Sequence, residues 1–185
     1  MVGFRHAGDV EVRLLASEEL SDAVRTTLRA LLWASFPDDF SEDDWSHGLG
    51  GVHIVAFDGD RPVGHASVIA RSIYVADQRY DGGYLEAVAV DTGYRGGGVG
   101  ASVGRAAGEV IHDRYPIAAL STSKHGFYER LGWERWRGPT YVVSSGKRRR
   151  TAEEDAGVMV LRPPGCPVMD LTAPIAVDDR SGDAW

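Results

Sequence analysis

The stretch YLEAVAVDTGYRGGGVGASVGRAAGEVI, residues 84–111, constrains the fold of this chain more than any other. An apolar strand carried by Tyr84, Leu85, Val88 and Val90 runs into a glycine-rich turn, and the turn opens a helix. A helix N-terminus leaves four backbone N–H groups without an intrahelical partner, and the macrodipole adds partial positive charge there. Gly96, Gly97, Gly98 and Gly100 let that backbone close on an anion with no Cβ in the way, so the turn reads as a phosphate cradle. Glu86 interrupts the apolar strand and holds a carboxylate beside the reach of that ligand. A nucleotide P-loop is excluded, because Gly100 is followed by Ala101 and Ser102 where a lysine is required. The dinucleotide pattern Gly-x-Gly-x-x-Gly is approached by Gly96 to Ala101 but not met. A glycine run alone often marks a plain turn; the strand before it and the helix after it give this one its meaning.

With 185 residues, 43% of them apolar, the chain suits one compact domain spanning residues 1–185. No run of about 18 apolar residues occurs, and the opening MVGFRHAGDVEVR lacks the apolar centre of a signal peptide. Cys166 is the sole cysteine, so no internal disulfide forms and a cytoplasmic location is expected. It lies between Gly165 and Pro167 and reads as a passive thiol. Lys and Arg number 20 against 27 Asp and Glu, a net charge of −7 that argues against nucleic acid as a partner. Lys147 to Arg150 form one basic run, but Glu153, Glu154 and Asp155 follow at once, and the segment reads as a solvated loop. Acidic residues gather at Asp38-Asp39, Glu42 to Asp44, Glu153 to Asp155, and Asp178, Asp179 and Asp183, a set suited to a polycation if several converge. His47, His53 and His65 show no metal-ligand spacing, so no metal is expected. His53 and His65 fall in strand patterns and read as hydrogen-bonded structural residues.

Patterning predicts alternating elements. Residues 11–15 read as a strand, and residues 17–33 as a helix with Ser17 as N-cap and Leu20, Val24, Leu28, Leu31 and Leu32 at helical spacing. Pro37 ends it, and Ser41 with Asp44 resembles a capping box that starts a short second helix. Residues 52–57 and 63–70 make a hairpin about Asp58-Gly59-Asp60, and residues 72–75 extend to a turn at Asp81-Gly82-Gly83. The Glu86 strand and its helix follow. Residues 117–121 form a buried-type strand, residues 127–131 a short helix stopped by Gly132, and residues 133–143 and 158–161 late strands. This order gives an α/β (α+β) protein, an open mixed central sheet with helices on both faces.

Arg-Gly-x-Gly-x-Gly is met at every position by Arg95, Gly96, Gly98 and Gly100, and Phe-Tyr-x-x-x-Gly-Trp by Phe127 to Trp133. On these two motifs the chain is identified as a member of the GCN5-related N-acetyltransferase superfamily. Within it, FPDDFSEDDWSHGLGGVH, GYLEAVAV and the final GDAW resemble the aminoglycoside 2′-N-acetyltransferases, from about residue 30 to residue 185. The resemblance implies that fold, with a β-bulge at the coenzyme A site, and acetyl-coenzyme A as co-substrate without a metal. It assigns coenzyme binding to Val88, Ala89, Val90, Arg95, Gly96, Gly97, Gly98, Val99, Gly100, Ala101 and Ser121. It assigns the cationic drug to Asp39, Asp44, Glu86, Ala87, Ser121, Glu154 or Asp155, Asp183 and Trp185, with residues 163–185 closing the substrate site. Ala87 stands where a glycine is expected. Trp45, Trp133 and Trp136 read as packing in the core or flooring the substrate cleft. Members of this fold often pair, so a homodimer is expected, with the late strands, and Trp133 or Trp136 where exposed, as its interface.

A strand carboxylate and a tyrosine, with no convincing nucleophile–base pair, point to direct transfer without an acyl-enzyme. Glu86, directly or through a water, is the candidate general base, and Tyr128 the candidate general acid toward the departing thiolate. The backbone N–H near Val88 is the candidate stabiliser of the oxyanion. Two other readings stay open at this point. One is an acetyltransferase of the same fold for a polyamine, an amino-sugar or a protein N-terminus. The other is a non-catalytic sensor that binds acetyl-coenzyme A or a cationic drug.

Overall fold

The computed structural model describes residues 10–37 and 40–185. The chain divides into two compact units, residues 1–69 with 85–107 and residues 70–84 with 108–185. Two long strands, β3 (Arg61–Val75) and β4 (Gln78–Val90), and one helix, α3 (Val99–Arg114), pass from one unit to the other.

The first unit opens with β1 (Val10–Ala16), antiparallel to β2 (Val52–Asp58) from Val10↔Asp58 to Ala16↔Val52. β2 pairs in turn with the first half of β3, with a register shift at Ala56/Phe57. Helices α1 (Asp22–Ser35) and α2 (Glu42–Gly48) connect β1 to β2. Leu28, Leu31 and Leu32 of α1 and Trp45 of α2 bury their side chains in one cluster with Val55, Phe57 and Ala89. The expected helix start at Ser17 is corrected. Residues 17–19 form a single 3-10 turn, and α1 begins after Ser21, whose hydroxyl accepts from the Val24 N–H. Ser17 is unavailable as a cap because its hydroxyl accepts from the Gly50 N–H at 2.8 Å and bonds His53 Nε2 at 2.9 Å. The capping box of α2 forms as expected: the Ser41 N–H and hydroxyl both donate to Asp44 Oδ2 at 2.7 Å.

The second unit holds a mixed sheet ordered β6-β9-β5-β4-β3-β10-β7-β8. Its further members are β5 (Ala118–Ser121), β6 (Glu134–Arg135), β7 (Thr140–Ser144), β8 (Lys147–Arg150), β9 (Val158–Leu161) and β10 (Ile175–Asp178). β4 runs parallel to β5, and β10 parallel to β7 while antiparallel to β3. The short helix α4 (His125–Glu129) follows β5. The expected turn at Asp81-Gly82-Gly83 does not exist; these residues lie inside β4, and the chain reverses at Ala76 and Asp77 instead. Their glycines answer to packing. A Cβ on Gly82 would fall 2.5 Å from Ile73 Cδ1, and one on Gly83 2.8 Å from the Tyr115 ring.

Lys147 to Arg150 are likewise not a loop but the exposed edge strand β8, paired with β7. Their like charges discourage another strand from pairing there. β10 has no counterpart in the sequence reading, where residues 163–185 form a terminal segment only. Trp45, Trp133 and Trp136 are buried, which bears out the core placement and removes Trp133 and Trp136 as exposed interface residues, and the Trp136 indole N–H donates to the Ala173 carbonyl at 2.8 Å. Among the described residues, no helix is long and apolar enough to cross a membrane.

Candidate active site

The first unit carries the candidate donor-binding and base residues. Glu86, Ala87 and Val88 are half-buried near the end of β4, and Ala89 is buried. Ala87 has φ +52°, inside the left-handed region that favours glycine, so the strand kinks there. This accounts physically for the glycine expected at that position.

Past β4, the Asp91 carboxylate organises the turn. Its Oδ1 accepts from the Gly93 N–H at 2.9 Å and its Oδ2 from Arg61 at 2.6 Å, while the Asp91 N–H donates to the Val63 carbonyl. The Arg95 side chain folds back to the Val90 carbonyl at 3.0 Å. Gly96 and Gly98 have φ +79° and +89°, and a Cβ at either would meet nothing within 4 Å. The conformation therefore requires glycine, and the space beside it is open. The first helical bond of α3 runs from the Ser102 N–H to the Gly98 carbonyl. The Val99, Gly100 and Ala101 N–H groups precede it as first-turn donors. This turn fits a pyrophosphate: open, glycine-lined and positive in dipole.

Of the expected drug ligands in this unit, Asp39 lies outside the described residues, as does Asp38. Asp44 is partly committed, since its Oδ2 closes the capping box of α2.

A buried polar chain also ends in this unit on the Ala87–Val88 peptide, one residue past Glu86. The Ser17 hydroxyl meets His53 Nε2 at 2.9 Å, His53 Nδ1 meets His65 Nε2 at 3.0 Å, and His65 Nδ1 meets the Ala87 carbonyl at 2.9 Å. Burial, then the charge of Arg25, pushes His53 down to about 4. Burial, then His53, pushes His65 down to about 3 against the Ala87 bond. Both rings are therefore neutral at physiological pH. The sequence reading takes these histidines as hydrogen-bonded and does not connect them to the site. The signal is their placement in paired strands, where His53 faces Ser67 and His65 faces Val55, so the two rings are diagonal neighbours.

The second unit carries the candidate acid and part of the acidic set. Tyr128, on α4, is buried beside Phe127 and Trp133, with ring centroids 4.9 and 6.0 Å away in edge-to-face geometry. Burial pushes its phenol up to about 12, so the proton stays on until a strong base takes it. Ser121, at the end of β5, donates to Glu154 Oε2 at 2.7 Å. Burial raises the Glu154 carboxyl above its usual range, the Ser121 bond opposes that, and the charge of Asp183 adds to it.

Asp155 is spent on structure. Its Oδ1 accepts from the Thr140 N–H and hydroxyl and, with Oδ2, from the Arg150 guanidinium, which holds it down to about 2. Of the Glu154-or-Asp155 pair, Glu154 is thus the one with a less committed carboxylate. The chain end is anchored: Trp185 is buried, its indole N–H donates to Thr151 Oγ1 at 3.2 Å, and its backbone N–H donates to Asp183 Oδ1 at 3.0 Å. Arg71 holds the Ala184 carbonyl at 2.6 Å. Among the described residues, no group of three or more His, Cys, Asp or Glu side chains is arranged to hold a metal ion.

Comparison with known proteins gives the family and the fold. Residues 11–136 match the model of the acetyltransferase (GNAT) domain. An aminoglycoside 2′-N-acetyltransferase of Mycolicibacterium fortuitum is 38% identical over 178 residues, covering 94% of this chain and 91% of the relative. Among solved structures, the GNAT-family acetyltransferase YhbS of Escherichia coli, in complex with CoA, superposes with TM-score 0.64 at 16% identity, over 91% of this chain and 89% of that one. Escherichia coli ElaA does so with TM-score 0.59 at 20% identity, over 83% and 99%. Those two likenesses establish the curled mixed-sheet fold; the family model and the bacterial relative establish kinship. The chain is a GNAT acetyltransferase and belongs to the aminoglycoside 2′-N-acetyltransferase family.

Proposed function

We propose that this protein acetylates the 2′-amine of aminoglycoside antibiotics, with acetyl-coenzyme A as donor, and so confers resistance. The observation that carries the reading is the 38% identity, sustained over 94% of the chain, to a relative with that activity in its name.

Acetyl-coenzyme A supplies the activated acetyl group. The first-turn N–H groups at Val99 to Ala101 and the Gly96 to Gly98 backbone hold its pyrophosphate, and the Val88 to Val90 edge aligns its extended arm. Glu86, directly or through water, takes a proton from the acceptor ammonium, which frees the nitrogen lone pair for attack. The Val88 N–H donates to the carbonyl oxygen as negative charge develops there. Tyr128, kept protonated by burial, gives its proton to the departing thiolate. Asp44, Glu154 and Asp183 supply negative charge for the remaining ammonium groups, and the family's assignment of Asp39 and Trp185 to the drug is retained. Positioning of this kind lowers a barrier by several kcal/mol, roughly 7 in favourable cases.

Release of coenzyme A thiol with a matched drug pair tests the proposal. One drug carries a 2′-amine and the other a 2′-hydroxyl. Turnover with the first alone is expected. Turnover with both moves the acetylated position, and silence with both, despite acetyl-coenzyme A binding, assigns the enzyme to another amine.

A further inference from the structure

We propose that Ser17, His53 and His65 are positioning residues, a one-way hydrogen-bond chain that fixes the Ala87–Val88 peptide at the reacting centre. The assignment of that peptide to the reacting centre rests on the function proposed above.

The direction of the chain follows from its ends. The Ala87 carbonyl only accepts, so His65 Nδ1 carries the proton in their 2.9 Å bond. In a neutral ring the other nitrogen is then bare, so His65 Nε2 accepts, and His53 Nδ1 carries the proton between the rings at 3.0 Å. His53 Nε2 is bare in turn and accepts from the Ser17 hydroxyl at 2.9 Å, which leaves a Ser17 lone pair for the Gly50 N–H at 2.8 Å. Every donor and acceptor from Gly50 to Ala87 is matched in one arrangement. Burial of both rings excludes the alternative in which an added proton reverses the chain.

The far end is where this order acts. A peptide unit is planar and trans, so a fixed Ala87 C=O also fixes the Val88 N–H, pointing the opposite way. Ala87 is a non-glycine residue at φ +52°, a conformation the backbone leaves unless it is held. The His65 bond holds it. Successive hydrogen bonds polarise one another, and drawing electron density from the Ala87 oxygen makes the Val88 N–H a stronger donor to the developing oxyanion.

Long-range proton–nitrogen NMR on histidine-labelled wild-type protein at pH 7 reads the chain directly and requires no turnover. Both rings are expected neutral, with the proton on Nδ1. A proton on Nε2 alone, or a charged ring, in either histidine overturns the proposal. Steady-state kinetics then reads its effect. His65→Leu removes the donor and should lower kcat by about 10-fold to 10²-fold, with KM for acetyl-coenzyme A nearly unchanged. His65→Asn, which offers an amide N–H where Nδ1 stood, should recover most of the loss. A folded His65→Leu with wild-type kcat overturns the positioning role, as does an Asn variant no faster than Leu. If neither variant folds, Ser17→Ala is measured at the other end of the chain. A severalfold fall in kcat with a changed His53 nitrogen signal supports the role, and an unchanged kcat overturns it. Absence of wild-type turnover with the 2′-amine drug sinks the aminoglycoside reading instead, whereas wrong tautomers in an active enzyme sink this one alone.

Discussion

Acidification from pH 7 to pH 5 should remove about 4 kcal/mol of folding stability through His53 and His65, about 2 kcal/mol from each ring. Burial holds the two folded rings near 4 and 3, against 6.5 for a free imidazole. The unfolded chain therefore binds protons that the native state refuses. The contribution of these rings is complete above pH 6.5 and is lost as pH falls toward the folded values. Between pH 7 and pH 5 the native rings remain almost wholly uncharged. The predicted loss then depends on the unfolded value and hardly at all on how far below 4 each folded one lies.

The loss is a large part of the 5–15 kcal/mol that holds a typical domain together. Most carboxylates titrate below this window, so they blur the effect little. Urea unfolding followed by circular dichroism at pH 7, 6 and 5 and constant ionic strength gives the stability at each pH. Comparison with a His53→Asn/His65→Asn double variant isolates the pair from the other histidines. A wild type equally stable at pH 7 and pH 5, or a double variant with the same decline, refutes the reasoning.

Four other outcomes are expected. Glu86→Gln and Tyr128→Phe should each lower kcat by about 10²-fold to 10⁴-fold in the thiol-release assay. Gly82→Ala places a Cβ 2.5 Å from Ile73 Cδ1 and should destabilise the fold by about 1–3 kcal/mol in urea melts. Arg71→Ala strips a donor from the Ala184 and Asp178 carbonyls and from the Asp178 side chain, at about 1–3 kcal/mol for each buried group left unpaired. It should also expose the Trp185 ring, which fluorescence quenching reads. Ser121→Ala removes the bond that opposes the raised value of Glu154, so the pH below which KM for a cationic drug climbs should move upward.

Much of the candidate site was legible because its chemistry is local. Arg95 to Ala101 are contiguous, and a glycine turn at a helix start has the same meaning in any fold. The motif from Phe127 to Trp133 likewise lies within one short segment, and Ser41 with Asp44 caps its helix three residues away. What escaped the reading depended on distant partners. Asp81-Gly82-Gly83 has the composition of a turn, but its glycines make room for Ile73 and Tyr115. Ser17 has the composition of a cap, but Gly50 and His53 claim its hydroxyl. Lys147 to Arg150 read as solvent-facing, which they are, but their backbone pairs with residues 141–144.

The sequence by itself determined the superfamily, the glycine turn at the start of α3, and the types of side chain offered as candidates for base, acid and ammonium binding. These are properties of residues near one another in the chain, and propensity and spacing suffice to express them. The tertiary structure alone decided which polar groups are committed. It spends Asp155 on Arg150 and Thr140, sets Glu154 against Ser121, and lines up Ser17, His53 and His65 behind Ala87. A hydrogen bond requires its two atoms within about 3 Å. For these residues, which lie from 5 to 36 positions apart in the chain, only strand pairing and packing settle that distance.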